Sequence, residues 1–164
     1  MSSRRTLPCV LALAFAVPAA AATAKAPAPW ATVNICDTAD NPDTIGIRGS
    51  MPPGGNAGDE MFMRFQVQFQ RDDGSWRLMG AAGDSGFIDV GRARAKPRQA
   101  GHSFWLSPPA AGNVFTLRGL VTFEWRARDG TVDRRARKRT TGGHLSTAGA
   151  DPSGFTAAEC TVSA

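Results

Sequence analysis

Two stretches of the chain alternate apolar and polar residues with a period of two, the signature of strands with one buried and one wet face. In residues 114–140 the odd positions read Phe115, Leu117, Gly119, Val121, Phe123, Trp125 and Ala127, and the even ones are mostly polar: Thr116, Arg118, Thr122, Glu124 and Arg126. Asp129-Gly130 then predicts a type I′ hairpin turn, since glycine takes positive φ without a Cβ clash. A two-residue loop sets Ala127 against Val132, Arg126 against Asp133 and Glu124 against Arg135, so opposite charges meet twice on the wet face. In residues 61–71, Met61, Met63, Phe65, Val67 and Phe69 alternate with Arg64, Gln66, Gln68 and Gln70. The same turn chemistry at Asp73-Gly74 leads into a strand over 76–80, with Leu78 facing Phe69.

Weaker signals fill in the remainder. Residues 32–36 and Ile45 to Ile47 read as short strands, joined by a turn rich in Asp, Asn and Pro. Residues 51–59 are a Pro- and Gly-rich loop, 83–86 a turn, 87–90 a short strand and 91–101 a basic connection. A strand over 104–106 ends at Pro108-Pro109, because proline donates nothing to a ladder. Residues 141–154 read as a surface loop and 155–162 as a last strand. Outside the first two dozen residues, no ten-residue stretch repeats an apolar face at helical spacing. Seven to nine short strands without helices predict an all-β antiparallel sandwich.

Composition changes the picture at the N-terminus. Arg4 and Arg5, an apolar run over 10–17 and Ala22-Thr23-Ala24 have the layout of a signal peptide, so residues 1–24 are expected to be removed, with cleavage before Lys25. Whether export follows the general or the twin-arginine route is open. Residues 25–30 read as an Ala/Pro-rich lead-in and 31–164 as one domain. Two of the 19 Lys and Arg lie in the leader, leaving 17 against 14 acids. The mature chain is thus only mildly basic. No later stretch is apolar enough to span a membrane. Two of the three cysteines, Cys36 and Cys160, survive cleavage, and an even count in an exported chain predicts a disulfide tying the termini together. The expected location is secreted or extracytoplasmic, in a bacterial envelope or beyond it.

Candidate chemistry is sparse. Gly83-Asp84-Ser85-Gly86 resembles the nucleophile motif of trypsin-like serine proteases, but His102 and His144 both follow Ser85, position 87 is Phe where that motif has Gly, and the chain is too short for two barrels. A Gly-rich turn is the expectation. Asp37, Asp40, Asn41 and Asp43 offer several oxygens at a spacing that matches no EF-hand and suits ordinary turns. Two distant histidines and oxidised cysteines leave no zinc set. Neither a metal nor a cofactor is expected, and no enzyme. Arg134, Arg135, Arg137, Lys138 and Arg139 form the densest charge and are the candidate polyanion-binding residues, with edge protection as the competing role. Glu124 would occupy Arg135, and stacking on Trp125 would occupy Arg134. Aromatics do not interleave with the cations, which argues against nucleic acid.

In size, strand count and export signal the mature chain resembles immunoglobulin-like and fibronectin-type-III-like extracellular sandwiches, and Trp76 stands where immunoglobulin domains keep a core tryptophan. The resemblance implies an Ig-like sandwich, with other sandwiches such as jelly rolls still open, and bears on fold alone. Binding through loops at one end is expected from export, a disulfide and the lack of a catalytic set. The chain departs from the immunoglobulin pattern in a cysteine separation of 124 and in lacking tyrosine. The expected function is a secreted or envelope-associated non-enzymatic binding module for a protein or glycan ligand. The alternatives are an envelope assembly component pairing through edge strands, and a polyanion binder using the 134–139 cations.

Overall fold

The computed structural model describes residues 27–54, 56–94, 96–144 and 147–164. The expected leader lies outside the described residues, as do residues 25 and 26. Among the described residues nine strands form two antiparallel sheets: β1 (Trp30–Cys36), β2 (Thr44–Met51), β3 (Glu60–Gln70), β4 (Trp76–Leu78), β5 (Asp84–Arg92), β6 (Arg98–Trp105), β7 (Val114–Arg126), β8 (Val132–Arg139) and β9 (Glu159–Ser163). The only helix among the described residues is a 3-10 turn at Gly80–Gly83. No helix among them is long and apolar enough to cross a membrane. The all-β antiparallel sandwich of the sequence reading is what forms.

The smaller sheet runs β1-β2-β6. The larger is centred on β3 and β7, which pair over Glu60 to Phe69 without a register shift. β5 and then β4 follow the outer side of β3, while β8 and β9 share the outer side of β7. The alternation read from the sequence explains this centre. Met61, Met63, Phe65, Val67, Leu117, Val121, Phe123 and Trp125 all point inward and are buried, facing Ala31, Val33, Ile45, Ile47, Met51 and Phe104 of the smaller sheet. Gly119 interrupts this wall because Ile47 fills the space: a Cβ there would lie 2.9 Å from Ile47 Cδ1 and 2.6 Å from Thr140 Cγ2.

Both Asp-Gly turns differ from expectation in the same way. Neither Asp73 nor Asp129 has positive φ, as a type I′ turn requires, whereas Gly74 and Gly130 do. Arg71 N–H donates to Ser75 O and Gly74 N–H to Arg71 O, and the same pair of bonds links Ala127, Gly130 and Thr131. Each loop therefore holds three residues, with the glycine as a left-handed bulge. After β7 a second irregularity between Trp125 and Arg126 cancels the extra residue, so Glu124 still faces Arg135, although Arg126 faces Val132 instead of Asp133. After β3 nothing cancels it. Phe69 faces Arg77 and Leu78 faces Gln68, so the slip of one turns Leu78 to the outer face. The same slip puts Trp76 outside, with Arg118 Cζ 4.0 Å above its ring. The buried tryptophan is Trp125, its indole N–H donating to Pro52 O at 3.1 Å.

Cys36 and Cys160 form a disulfide joining β1 to β9, Cα atoms 5.4 Å apart. The chain between β8 and β9 crosses over the outer face of the smaller sheet. It satisfies buried polar groups there: Thr32 Oγ1 meets Thr156 Oγ1 at 2.7 Å and Asn34 Nδ2 donates to Gly149 O at 2.8 Å. It also closes the β1 edge through bridges from Val33 to Ala157 and from Ile35 to Asp151. β6 starts at Arg98, well inside the expected basic connection, because an edge strand that buries only Phe104 fully carries little alternation to read.

Candidate functional site

One end of the sandwich is open. β6 stops where Pro108 and Pro109 remove two donors, and the chain swings across the mouth to re-enter as β7. At this end Phe69, Met79, Leu106, Pro109, Phe115 and Leu117 line a cleft of about 520 Å³. Trp105, 78% exposed, stands at its edge. A second hollow of about 670 Å³ shares Phe69 and Phe115 with it and is otherwise walled by the β3–β4 turn and Asn113. Its polar groups are Gln70, Asp72, Asn113 and the ion-paired Arg71 and Asp73, 3.7 Å apart. Ser75, through its hydroxyl and then its backbone N–H, holds the Asp73 carboxyl below its usual range. An apolar trough of ligand size with a polar rim suits a compact apolar or aromatic group bearing a polar handle. The sequence offered no sign of this cleft. It is assembled from loop residues and strand ends that carry no shared pattern.

The 134–139 cations lie where the reading placed them, on the outermost strand of the larger sheet, but they do different things. Arg134 Cζ lies 4.4 Å from the Trp125 ring. Arg135 Nε donates to Glu124 Oε1 at 2.6 Å. Arg126, expected to face Asp133, instead donates to Glu124 Oε2 at 2.8 Å. Glu124 was expected on a wet face, yet it is 1% exposed. The two guanidinium groups roof it over, and Arg126 also stacks on Phe62 and Phe87 at 4.1 and 4.6 Å. Arg137, Lys138 and Arg139 are exposed and have no ion-pair partner among the described residues. Burial lowers the pKa of the Arg118 guanidinium, and like-charge repulsion from Arg139 lowers it further.

The protease-like motif is a structural joint. Ser85 Oγ accepts the Phe65 N–H at 2.9 Å and donates to Gly86 O at 2.7 Å, filling the gap where the β3–β5 ladder shifts register. Asp84 is bound by Arg64 and Gln66, and the Arg64 guanidinium pulls its carboxyl down to about 2. Neither histidine joins them. His102 meets Phe104 edge-on, and His144 stacks on Trp30 at 4.2 Å with its Nε2 2.9 Å from Thr141 Oγ1. Burial lowers the His144 pKa. Asp37 and Asp43 take left-handed conformations in a tight turn, where Asp37 Oδ1 accepts the Asp43 N–H at 2.8 Å. Thr38 and then Asn41 donate to Asp151 and hold its carboxyl low. Among the described residues no three His, Cys, Asp or Glu side chains come together as a metal set.

No protein-family model matches this sequence, and the comparison with curated proteins yields no match.

Proposed function

We propose that the chain is an exported, non-enzymatic binding module of the Ig-like kind, taking its ligand in the open end of the sandwich. The observation that carries this reading is the apolar cleft of about 520 Å³ edged by Trp105 at 78% exposure, since water-exposed aromatic surface of that size beside a ligand-sized hollow is costly unless it is used. The disulfide between Cys36 and Cys160 supports an oxidising, extracytoplasmic compartment. The ligand class is an apolar or aromatic group presented by a protein or a glycan. A direct test uses anilinonaphthalene sulfonate as the probe. Fluorescence enhancement is expected with the intact chain, and its loss in Trp105→Ala and Leu106→Asp. An Arg137→Glu control is expected to keep it. No enhancement, or enhancement indifferent to Trp105 and Leu106, overturns the reading.

A second reading, polyanion binding through Arg134, Arg135, Arg137, Lys138 and Arg139, draws on the three cations of β8 that have no ion-pair partner among the described residues. Retention on heparin persisting well above about 0.2 M salt, and lost in a triple Arg137→Ser, Lys138→Ser, Arg139→Ser variant, would support it. Elution below that salt leaves only nonspecific charge.

A further inference from the structure

Most of the sheet edges are guarded against pairing with another chain. β8 carries five cations, the segment following it covers β1, and the column beside β3 is split between β4 and β5, with two register shifts in β5 and glycines at positive φ. Beyond its first residue, Arg98, β6 has none of these devices. It runs eight residues in unbroken register against β2, and from Gln99 to Trp105 it holds no Lys, Arg, Asp, Glu or Pro. Leu106 N–H donates to Asp43 O, and that phase carried back along the register points the backbone groups of Phe104 and His102 at β2. Gly101, Ser103 and Trp105 therefore point theirs away from the sheet. Among the described residues no backbone group meets them.

We propose that β6 pairs antiparallel with β6 of a second copy, about a twofold axis through Ser103, joining two three-stranded sheets into one of six. Self-pairing is what this strand's composition accommodates. The register sets Ser103 against itself, Trp105 against Gly101 of the second copy, and, on the inner side, His102 against Phe104. No like charges meet, whereas two copies of β8 would oppose five cations to five. Each of the pairs 101–105, 103–103 and 105–101 exchanges two N–H···O bonds. The arrangement also covers what is otherwise left open. Trp105, 78% exposed, comes over the bare Gly101 backbone, beside Arg48, whose Cδ lies 3.0 Å from where a Gly101 Cβ would stand. Arg48 Nε is buried with no hydrogen-bond partner among the described residues, and an aromatic face is one a partly desolvated guanidinium accepts.

The dimer and the ligand cleft share one residue, Trp105, whereas Ser103, the position altered below, does not line the cleft, so failure of the dimer leaves the ligand reading standing and the reverse. Sedimentation velocity up to about 200 µM, the range in which small interfaces hold, is expected to show the wild-type chain passing from monomer to dimer. Ser103→Lys, which brings two ammonium groups to the axis, is expected to stay monomeric with an unchanged thermal midpoint. Ser103→Cys is expected to oxidise to a covalent dimer, since Cα atoms of such a pair stand about 5.5 Å apart, while Leu78→Cys on the outer face of the larger sheet does not. A wild-type chain monomeric throughout, a dimer untouched by Ser103→Lys, or Ser103→Cys cross-linking no faster than Leu78→Cys overturns the proposal.

Discussion

Replacing Gly119 by alanine probes the contact between the two sheets at its tightest point. The added Cβ would stand 2.6 Å from Thr140 Cγ2 and 2.9 Å from both Cδ1 and Cγ2 of Ile47, well inside van der Waals contact. Neither neighbour is free to yield. Ile47 is fully buried in the opposing sheet, and Thr140 is held by its own N–H to Gly119 O and by Gly119 N–H to its Oγ1, both at 3.0 Å. Overpacking of this kind costs about 1–3 kcal/mol. The loss of backbone freedom in the unfolded chain returns about 0.4–1 kcal/mol. The net expectation is a destabilisation of about 1–2 kcal/mol, or a thermal midpoint lowered by about 3–8 °C for a domain of this size. Thermal and urea unfolding followed by circular dichroism measure it. Adding Ile47→Ala makes room for the new methyl, so the double variant should lose less than the sum of the single losses. A Gly119→Ala midpoint at or above wild type, or strict additivity with Ile47→Ala, would refute the packing argument.

Three further outcomes follow from the same geometry. Glu124→Ala strands the guanidinium groups of Arg126 and Arg135 beside a new cavity and is expected to cost about 2–4 kcal/mol in urea unfolding, against under about 1 kcal/mol for Arg135→Ala, whose side chain is half exposed. Reducing the Cys36–Cys160 bond releases a loop spanning a separation of 124 residues and is expected to remove about 4–5 kcal/mol on the chain-entropy account; unchanged unfolding on reduction would contradict it. Asp84 titrates near 2 when folded and near 3.9 when unfolded, so its contribution is present above about pH 4 and is lost as pH falls toward 2. An Asp84→Asn variant should therefore show a shallower loss of stability across that window, and an unaltered acid profile would argue against the Arg64 pair.

How far the sequence could be read depended on whether a residue's role is local. β3 and β7 were legible because alternate residues of a two-sided strand differ in kind, and Met61 to Phe69 and Leu117 to Trp125 keep that phase. The Asp-Gly corners were legible as turns but not as to loop length, since a glycine after an aspartate serves a two-residue turn and a three-residue bulged one equally well. That single ambiguity put Leu78 and Trp76 on the wrong face, while Glu124 and Arg135 were placed correctly only because a bulge undid the error. The burial of Glu124 was not legible, because its cover comes from Arg126 folding back and from Phe62 and Phe87 on two other strands. Only the end of β6 was legible, as a strand from Phe104, and its start at Arg98 was lost for want of alternation; the cleft was missed because it joins residues from 69 to 117 that only the closed sandwich brings together. The cysteine pairing needed nothing beyond an even count.

Native-state hydrogen exchange of the β7 amides tests the account most directly, because everything described here hangs on β7 being paired on both sides, by β3 on one and by β8 and β9 on the other. The amides of Leu117, Val121, Phe123 and Trp125 are expected to exchange only through global unfolding, with a free energy equal to that from urea denaturation. Exchange of these amides at the rate of residues in the 107–113 connection would contradict the sandwich and the cleft built on it.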